Sequence, residues 1–299
     1  MDKKKVIVIC GPTASGKTAL GIEVANLING EIISADSMQI YKDMDIGSAK
    51  PTVDERAQAV HHLVDFVDPD IRYSVADFKN DAEIKIKDII FRNKVPIIVG
   101  GTGLYVNSLI YNIHYQDVEV DLDYRRFLEN VSIEKLYEMA NKIDPDALNK
   151  ISLTDRKRIS RIIEIYHSTG KTKTELEKES RHELEYDYKV FVLNMDREKL
   201  YERINLRVDL MINAGLVDEV KKLINKYNDF PTAMQGLGYK EIVQYLNGNC
   251  SLDEAVDKIK TETRRYAKRQ LTWFRSYKNV VWIESGDLKN VELIADSLK

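Results

Sequence analysis

The segment GPTASGKT, residues 11–18, has the residue types and spacing of a phosphate-binding loop. Gly11 and Gly16 let the backbone bend close to an anion, and N–H groups at the start of a helix point into the loop. Lys17 would reach a phosphate oxygen, and the Thr18 hydroxyl would help to hold Mg²⁺. The motif therefore predicts a phosphorylated ligand. It does not identify the group attached to the phosphates, because the donors are mainly backbone.

Two further polar residues follow predicted strands. Asp36 lies just beyond "EIIS", which ends near Ser34, and Thr102 lies in the "GGTG" that follows the apolar run "VPIIV". Loops after parallel strands meet at one edge of the sheet, so Asp36 is the carboxylate best placed beside the phosphate loop. The acid that phosphate-transferring enzymes often place after such a strand for Mg²⁺ is missing from GGTG. A turn residue is the alternative for Asp36, and local backbone bonding is the alternative for Thr102.

The surrounding pattern alternates strands with helices. An apolar run at 6–10 precedes the phosphate loop, and a helix with a Ser74–Asp77 capping box carries an apolar stripe of Phe78, Ala82, Ile86 and Ile89. The sequence predicts an α/β fold, a P-loop NTPase-like parallel-sheet core formed by residues 1–113 and 189–299. Residues 114–188 are charged, poor in glycine and helical in spacing, which predicts a small all-helical insertion domain.

Composition limits the class of protein. The chain has 299 residues, 43% of them hydrophobic and 31% charged, as in globular proteins. No apolar run approaches the ~20 residues of a membrane span, and the lysines near the N-terminus lead directly into a strand. Cys10 and Cys250 are too few for a disulfide framework or a cysteine-rich zinc site. We expect a cytoplasmic protein with no membrane association and no obligate protein partner.

Positive charge is clustered, although the net charge is −3. Residues 156–181 contain eight Lys and Arg against four Glu, and residues 260–278 contain seven against Glu262 alone. Such clusters favour a polyanionic partner, and solvated helix faces are the alternative. Aromatic residues interleave with the second cluster, as suits single-stranded RNA, but Ala267 and Phe274 share an apolar helix stripe that indicates packing.

The chain resembles the tRNA dimethylallyltransferases, because it contains the motifs of that family in the same order. The matching segments are GPTASGKT, SADSMQIYKDMDIGSAKP, HHLVD, VADFKNDA, GGTGLY, RKRISR, RVDLMINAGLVDEV and GLGYKE, which run from residue 11 to residue 241. ADSMQIY followed by IGSAKP is far more specific than the phosphate loop alone. The C-terminal zinc-finger extension of eukaryotic relatives is not found here, so the resemblance is to the bacterial form.

The resemblance implies transfer of a dimethylallyl group from dimethylallyl diphosphate to the exocyclic amine of the adenine 3′ to the anticodon, with release of diphosphate. Asp36 would be the general base, and Thr102 would orient the base or its acceptor. An Asp with an unperturbed pKa near ~3.9 would be ionised at neutral pH. Lys17, the loop N–H groups and Mg²⁺ would stabilise the leaving diphosphate. The adenine would have to be flipped out of its stack.

The resemblance also assigns binding residues. The predicted diphosphate contacts are Gly11, Thr13, Ala14, Ser15, Gly16, Lys17, Thr18 and Arg207. The predicted contacts with the tRNA anticodon stem-loop are Asp36, Ser37, Met38, Gln39, Lys157, Arg158, Ser160, Arg161, Gly238, Tyr239 and Lys240. Lys157 stands where the family often has Gln, and Tyr239 either stacks on a base or packs internally. Arg203 would share the helix face of Arg207, with a structural salt bridge as the alternative for both.

Two other functions fit the phosphate loop. The first is an ATP-dependent kinase acting on a small molecule or nucleoside, which would be expected to have a magnesium-binding acid after a strand. The second is a non-catalytic RNA-binding switch controlled by nucleotide. The switch would not require Asp36 and Thr102 to converge on the loop.

Overall fold

The computed structural model describes residues 3–115, 121–149 and 151–299. The chain forms two compact units, the first from Met1–Ile110 with Leu184–Lys299 and the second from Tyr111–Glu183. The insertion predicted at residues 114–188 overlaps the second unit over residues 114–183.

The first unit is built on a six-stranded sheet with the strand order β3-β2-β4-β1-β5-β6. The described pairings between these strands are all parallel. The strands are β1 (Lys5–Cys10), β2 (Gly30–Ser34), β3 (His61–His62), β4 (Val95–Gly100), β5 (Asp187–Asn194) and β6 (Val281–Glu284). The predicted α/β fold with a parallel sheet is confirmed.

Helices account for most of the remaining described chain. Before the second unit come α1 (Lys17–Ile28), α2 (Val53–Gln58), α3 (Val75–Phe91) and α4 (Gly103–Ile110). The second unit contains α5 (Leu122–Asn130), α6 (Ile133–Ile143), α7 (Pro145–Leu148), α8 (Arg156–Thr169) and α9 (Lys173–Glu179). After it come α10 (Arg197–Asn213), α11 (Leu216–Lys226), α12 (Tyr239–Leu246), α13 (Leu252–Phe274) and α14 (Asn290–Asp296). A 3₁₀ turn, Ala233–Gln235, precedes α12.

The inner strands β1, β2 and β4 are buried on both faces, which explains their continuous apolar runs. Residues 6–10 of the central strand β1 have no exposed surface. Helix α3 has the predicted capping box between Ser74 and Asp77, and its apolar stripe is fully buried. No helix in the described part of the chain is long and apolar enough to cross a membrane.

The second unit has its own small core. Leu136 of α6 packs with Ile159 and Ile162 of α8, and all three are fully buried. Arg125 makes a two-pronged ion pair with Glu164, both bonds being 2.8 Å long. Helical spacing predicted the helices of this unit, since the apolar residues of α8 lie three and four apart.

Candidate active site

The phosphate loop joins β1 to α1, as predicted. Gly16 caps α1 with φ 89°, in the left-handed region that favours glycine. At Gly11, with φ +150°, a Cβ would lie 2.9 Å from the Leu193 carbonyl oxygen, so a side chain does not fit there. The Ser15 hydroxyl donates to the Pro12 carbonyl over 2.8 Å and tightens the loop. The first N–H groups of α1 have no helical partner, which makes this helix start suitable for an anion.

Lys17 is held over this loop. Its Nζ donates to the Pro12 carbonyl over 2.7 Å. Burial lowers the pKa of Lys17 to about 8, and the charge of Arg207 acts in the same direction, while Asp36 opposes both. A poorly solvated ammonium is stabilised by a nearby anion, so the charge of Lys17 favours binding of an anionic ligand.

Two arginines of α10 face the same region. Arg203 and Arg207 are four residues apart on one helix face, and both line the cavity beside the phosphate loop. Burial, together with the charge of Arg203, lowers the pKa of Arg207. Among the described residues neither arginine forms an ion pair, so the salt-bridge alternative is wrong for both. Arg203 therefore joins Arg207 as a candidate anion contact.

The cavity has a volume of about 720 Å³ and lies within the first unit. Its walls are the phosphate loop with α1, the loops after β2 and β4, residues 45–53, and the inner faces of α10 and α13. It therefore lies at the carboxyl ends of the strands, where ligands bind in parallel α/β sheets. Lys17, Thr18, Asp36 and Gly101 all line it, so the predicted convergence of these loops is present.

Asp36 is partly buried, and one of its carboxylate oxygens stabilises the turn that follows it. Its Oδ1 accepts hydrogen bonds from the backbone N–H of Met38 at 2.9 Å and of Gln39 at 3.4 Å. Burial raises the pKa of Asp36, opposed by these hydrogen bonds and by the charges of Lys17 and Arg207. The expectation of an unperturbed pKa was wrong, because the carboxylate lies in a poorly hydrated cavity wall. The turn interpretation is correct for Oδ1 and leaves Oδ2 for another partner.

Thr102 acts on the neighbour of Asp36 rather than on its carboxylate. The Thr102 Oγ1 accepts from the Ser37 N–H over 3.0 Å and donates to the Ser37 hydroxyl over 3.3 Å. The Thr102 N–H also donates to the Ala35 carbonyl over 3.2 Å. Thr102 thus fixes the backbone on both sides of Asp36. The role of Thr102 in orienting Asp36 stays a prediction, and it would act through the backbone of the neighbouring residues.

Helix α13 contributes two cavity residues that sequence reasoning missed. Gln270 is buried; its Oε1 accepts from the Thr13 N–H over 2.8 Å, and its Nε2 donates to the Gly101 carbonyl over 2.9 Å. It therefore connects the phosphate loop to the loop after β4. Tyr266, one turn earlier, also lines the cavity, and burial and the charge of Asp36 raise its pKa to about 12. The available signal was a polar residue within the buried stripe that includes Ala267.

The predicted tRNA contacts beside Asp36 are partly buried. Gln39 lines the cavity, and its side chain is fixed at both ends: it accepts from the Ser34 hydroxyl at 3.0 Å and donates to the Ala49 carbonyl at 3.1 Å. Ser37 is held by Thr102. Roles for Ser37, Met38 and Gln39 in tRNA binding stay predictions.

The structure decides between the two alternatives for Tyr239 in favour of packing and contradicts its predicted contact with tRNA. This residue is fully buried, and its hydroxyl donates to Glu219 over 2.8 Å. It lies at the start of α12 and faces inward with Ile242, as three-residue spacing on a helix requires. Tyr239 therefore packs internally and does not stack on a base. Lys240 is exposed, and Gly238 adopts φ 93° at the helix start.

The remaining predicted tRNA contacts lie on α8 of the second unit. The Arg158 side chain is 65% exposed and pairs with Asp155 over 3.4 Å. Arg161 pairs with Glu164 over 3.2 Å. Lys157 is exposed and has no ion pair among the described residues, while Ser160 is partly buried. The exposed cations could meet a polyanion, and their contact with tRNA stays a prediction.

The fold and the cavity define a class of protein: a P-loop α/β protein with a positively charged site for an anion and the carboxylate of Asp36 beside it. Two family models match the chain, Isopentenyl transferase over residues 4–65 and IPP transferase over residues 39–277. The chain is 51% identical to the tRNA dimethylallyltransferase of Acetivibrio thermocellus, covering 98% of this chain and 96% of the relative. It is 48% identical to that of Caldanaerobacter subterraneus subsp. tengcongensis, with the same coverage. The chain belongs to the tRNA dimethylallyltransferase family.

Solved structures agree with this assignment. The full-length tRNA isopentenylpyrophosphate transferase of Bacillus halodurans is 42% identical with a TM-score of 0.73, covering 99% of this chain and 95% of that one. A eukaryotic dimethylallyltransferase studied while acting on tRNA is 34% identical with a TM-score of 0.82, covering 98% and 77%. The comparisons support the transferase and not the kinase. The predicted family is confirmed.

Proposed function

We propose that this chain transfers the dimethylallyl group of dimethylallyl diphosphate to the exocyclic amine of the adenine 3′ to the anticodon of tRNA. Beyond family membership, one observation supports this function. Lys17, Arg207 and Asp36 line one cavity closely enough for their charges to shift one another's pKa. Such a site can receive an anionic leaving group and accept a proton from the attacking amine.

The donor diphosphate occupies the phosphate loop in this proposal. Breaking the allylic C–O bond places negative charge on the departing oxygens, and positioned cations stabilise that charge most in the transition state. Lys17 and Arg207 supply the cations with the N–H groups at the start of α1. Arg203, whose guanidinium lies 4.0 Å from where a Cβ on Gly16 would stand, is close enough to the loop to assist.

Mg²⁺ belongs to the same proposal. No group of three or more His, Cys, Asp or Glu able to hold a metal is found among the described residues. A metal here would therefore take most of its ligands from the diphosphate and water, as Mg²⁺ commonly does, with the Thr18 hydroxyl as protein ligand. Thr18 opens the first turn of α1, lines the cavity and makes no hydrogen bond from its hydroxyl within the described chain. Bound Mg²⁺ would neutralise leaving-group charge.

On the acceptor side, Asp36 takes the proton. The adenine amine attacks the carbon bonded to the diphosphate oxygen, the new N–C bond forms as the C–O bond breaks, and one amine proton passes to Oδ2 of Asp36. Because Oδ1 is engaged by the Met38 and Gln39 N–H groups, the carboxylate has a fixed orientation. A raised pKa makes Asp36 a stronger base than an ordinary Asp in water.

The tRNA anticodon stem-loop is the proposed macromolecular substrate, bound in part by the α8 cations. An adenine within a stacked loop cannot enter the cavity, so the base must leave the stack. Phosphate contacts by Lys and Arg make such binding salt-dependent.

The proposal is tested by incubating the protein with dimethylallyl diphosphate, Mg²⁺ and unmodified tRNA. Nuclease digestion and mass spectrometry should reveal prenylated adenosine, and diphosphate should appear in equal amount. A parallel reaction with ATP and no prenyl donor tests the kinase alternative. Turnover of ATP without prenyl transfer would reject the proposed function.

A further inference from the structure

One wall of the cavity, residues 36–51, leaves the sheet after β2 and contains no helix or strand of its own. We call it the acceptor wall, because it begins with Asp36 and carries Gln39. Several of its residues line the cavity, including Asp45, Ser48 and Lys50. A segment without regular structure must satisfy its backbone N–H groups elsewhere.

Glu219 of α11 accepts hydrogen bonds from three of these N–H groups. Its Oε2 accepts from the N–H of Asp45 at 3.0 Å and of Ile46 at 2.7 Å, and its Oε1 accepts from the N–H of Gly47 at 3.1 Å. The same Oε1 also accepts from the Tyr239 hydroxyl at 2.8 Å. One carboxylate thus takes hydrogen bonds from three consecutive backbone amides and one phenol. Hydrogen bonds to a charged acceptor are stronger than neutral ones.

The contact between Gly47 and Tyr239 is equally specific. A Cβ on Gly47 would lie 2.5 Å from Cζ of Tyr239, so the acceptor wall can pass over this ring only with glycine. Tyr239 is fully buried and has no freedom to withdraw. Glu219 and Tyr239 therefore define one position for residues 45–47.

That position is transmitted to Asp36 through the wall itself. Gln39 donates to the Ala49 carbonyl, and its N–H donates to Asp36 Oδ1. Lys50, whose side chain is 2% exposed, bridges Asp45 at 2.6 Å and the Tyr41 carbonyl at 2.7 Å. The two ends of the wall are thereby bonded to each other.

We propose that Glu219 is a positioning residue for the acceptor side of the reaction, acting with Tyr239 through residues 45–47 on Gln39 and Asp36. The inference rests on the proposed function. The phosphate loop has its own internal hydrogen bonds and receives none from Glu219. Loss of the Glu219 anchor should therefore affect tRNA use and the transfer step, and leave donor binding intact.

The test compares Glu219→Gln and Tyr239→Phe with the control Asp218→Asn. Asp218 is the exposed neighbour of Glu219, and its carboxylate pairs with Lys221 over 3.7 Å. Glu219→Gln directs an NH₂ group at backbone donors, so hydrogen exchange at residues 45–47 should accelerate. A small displacement of reacting groups can cost ~10²-fold, which is the expected loss in kcat/KM for tRNA. Tyr239→Phe removes one hydrogen bond to a charged group and should cost ~10-fold.

Donor affinity, measured with dimethylallyl diphosphate and Mg²⁺ without tRNA, should stay at the level of the unmodified chain in both variants. Equal loss of donor affinity and tRNA use, or normal tRNA kinetics despite faster exchange, would overturn the proposal. If Glu219→Gln does not fold, Tyr239→Phe decides, because its ring still fills the same space. Failure of the unmodified chain to prenylate tRNA would instead reject the proposed function, while exchange and donor binding remain measurable.

Discussion

The phosphate loop and the acceptor wall face the same cavity but are built in different ways. The phosphate loop is held partly by bonds within itself: Ser15 and Lys17 both donate to Pro12, three and five residues away. It is also bonded from outside, by Gln270 at Thr13 and by Ser285 at Ser15. The acceptor wall depends on distant chain, since the amide of Asp45 donates to a carboxylate 174 residues later and that of Ser37 to a hydroxyl 65 residues later. The conformation of the phosphate loop can therefore be predicted from its eight-residue motif. The conformation of the acceptor wall cannot, because it depends on contacts with residues far along the chain.

The difference also separates the charges. The loop concentrates cations whose pKa values are lowered by burial, Lys17 and Arg207. The wall presents Asp36, whose pKa burial raises. Burial causes both shifts, since it disfavours the charged form of a base and of an acid alike, and the two sides differ in the sign of the charge they carry. Substitutions on each side should therefore produce different kinetic defects.

The largest effect should come from Asp36→Asn. The Asn Oδ1 can still accept from Met38 and Gln39, so the turn and the fold are kept, but the Nδ2 that replaces Oδ2 cannot accept a proton. We expect the transfer step to slow by ~10² to 10⁴-fold with little change in donor affinity. Single-turnover transfer at saturating tRNA and donor measures this. A near-normal rate in the folded variant would remove Asp36 from the mechanism and leave it as a turn residue.

The next effect should come from Lys17→Ala, on the other side of the cavity. Loss of a positioned cation at developing charge should lower turnover by ~10²-fold or more. The thermal stability of the ligand-free protein should increase, although turnover falls. Because burial lowers the Lys17 pKa to about 8, the folded state disfavours the ammonium below that pH, and its removal should raise the melting temperature of the ligand-free protein at pH 7. A lower melting temperature together with lost activity would indicate that Lys17 supports the loop structurally.

These shifts predict the pH profile of kcat/KM for the donor, which reports the free enzyme. Activity should fall as pH rises through about 8, where Lys17 loses its proton, by about tenfold per unit at the limit. It should also fall at acid pH as Asp36 becomes protonated, at a pH above that of an ordinary Asp because its pKa is raised. In kcat the alkaline limb should move to higher pH, since bound diphosphate favours the ammonium. An alkaline limb unchanged in Lys17→Arg would assign it to another group.

Sequence reasoning was accurate where the structure is local or periodic. The β1–loop–α1 unit, the capping box of α3 and the end of β2 before Asp36 follow from residue spacing within one element. Sequence reasoning failed where the contacts of a side chain are with residues far along the chain. The position of Gln270 on the buried stripe of α13 does not reveal its distant partners Thr13 and Gly101. Likewise, Tyr239 in GLGYKE carries no sign that Gly47 lies against its ring. The pKa of Asp36 likewise depends on burial by elements far along the chain.

Gln270 tests whether the two sides of the cavity are independent. It joins the phosphate loop at Thr13 to the loop after β4 at Gly101, and Thr102 in that loop holds the wall at Ser37. Gln270→Glu keeps an acceptor for the Thr13 N–H but sets a carboxylate against the Gly101 carbonyl and near the diphosphate. We expect donor affinity to fall by ~10-fold and the transfer step to slow as well. A defect in donor affinity alone would show that the two sides are independent at this position.

The smallest effects concern α8, which belongs to neither side of the cavity. Arg158→Ala and Arg161→Ala should weaken tRNA binding and lower the magnitude of the log–log salt slope by ~0.7 to 0.9 for each lost phosphate contact. Donor affinity should not change. Both variants should fold: the Asp155 carboxylate still caps the helix at the Arg158 backbone N–H, and Glu164 keeps its ion pair with Arg125.

Arg156, on the same helix, is the matched control. Its guanidinium donates to the carbonyls of Leu128 and Val131, at 3.0 and 2.6 Å, and so holds the end of α5 against α8. Arg156→Ala should lower the stability of the second unit, because it leaves these carbonyls without their charged donor. It should leave the salt slope of the remaining folded protein unchanged. A slope reduced as much by Arg156→Ala as by Arg158→Ala would show that the effect follows from loss of α8 packing, whereas a slope reduced only by Arg158→Ala and Arg161→Ala would identify direct phosphate contacts.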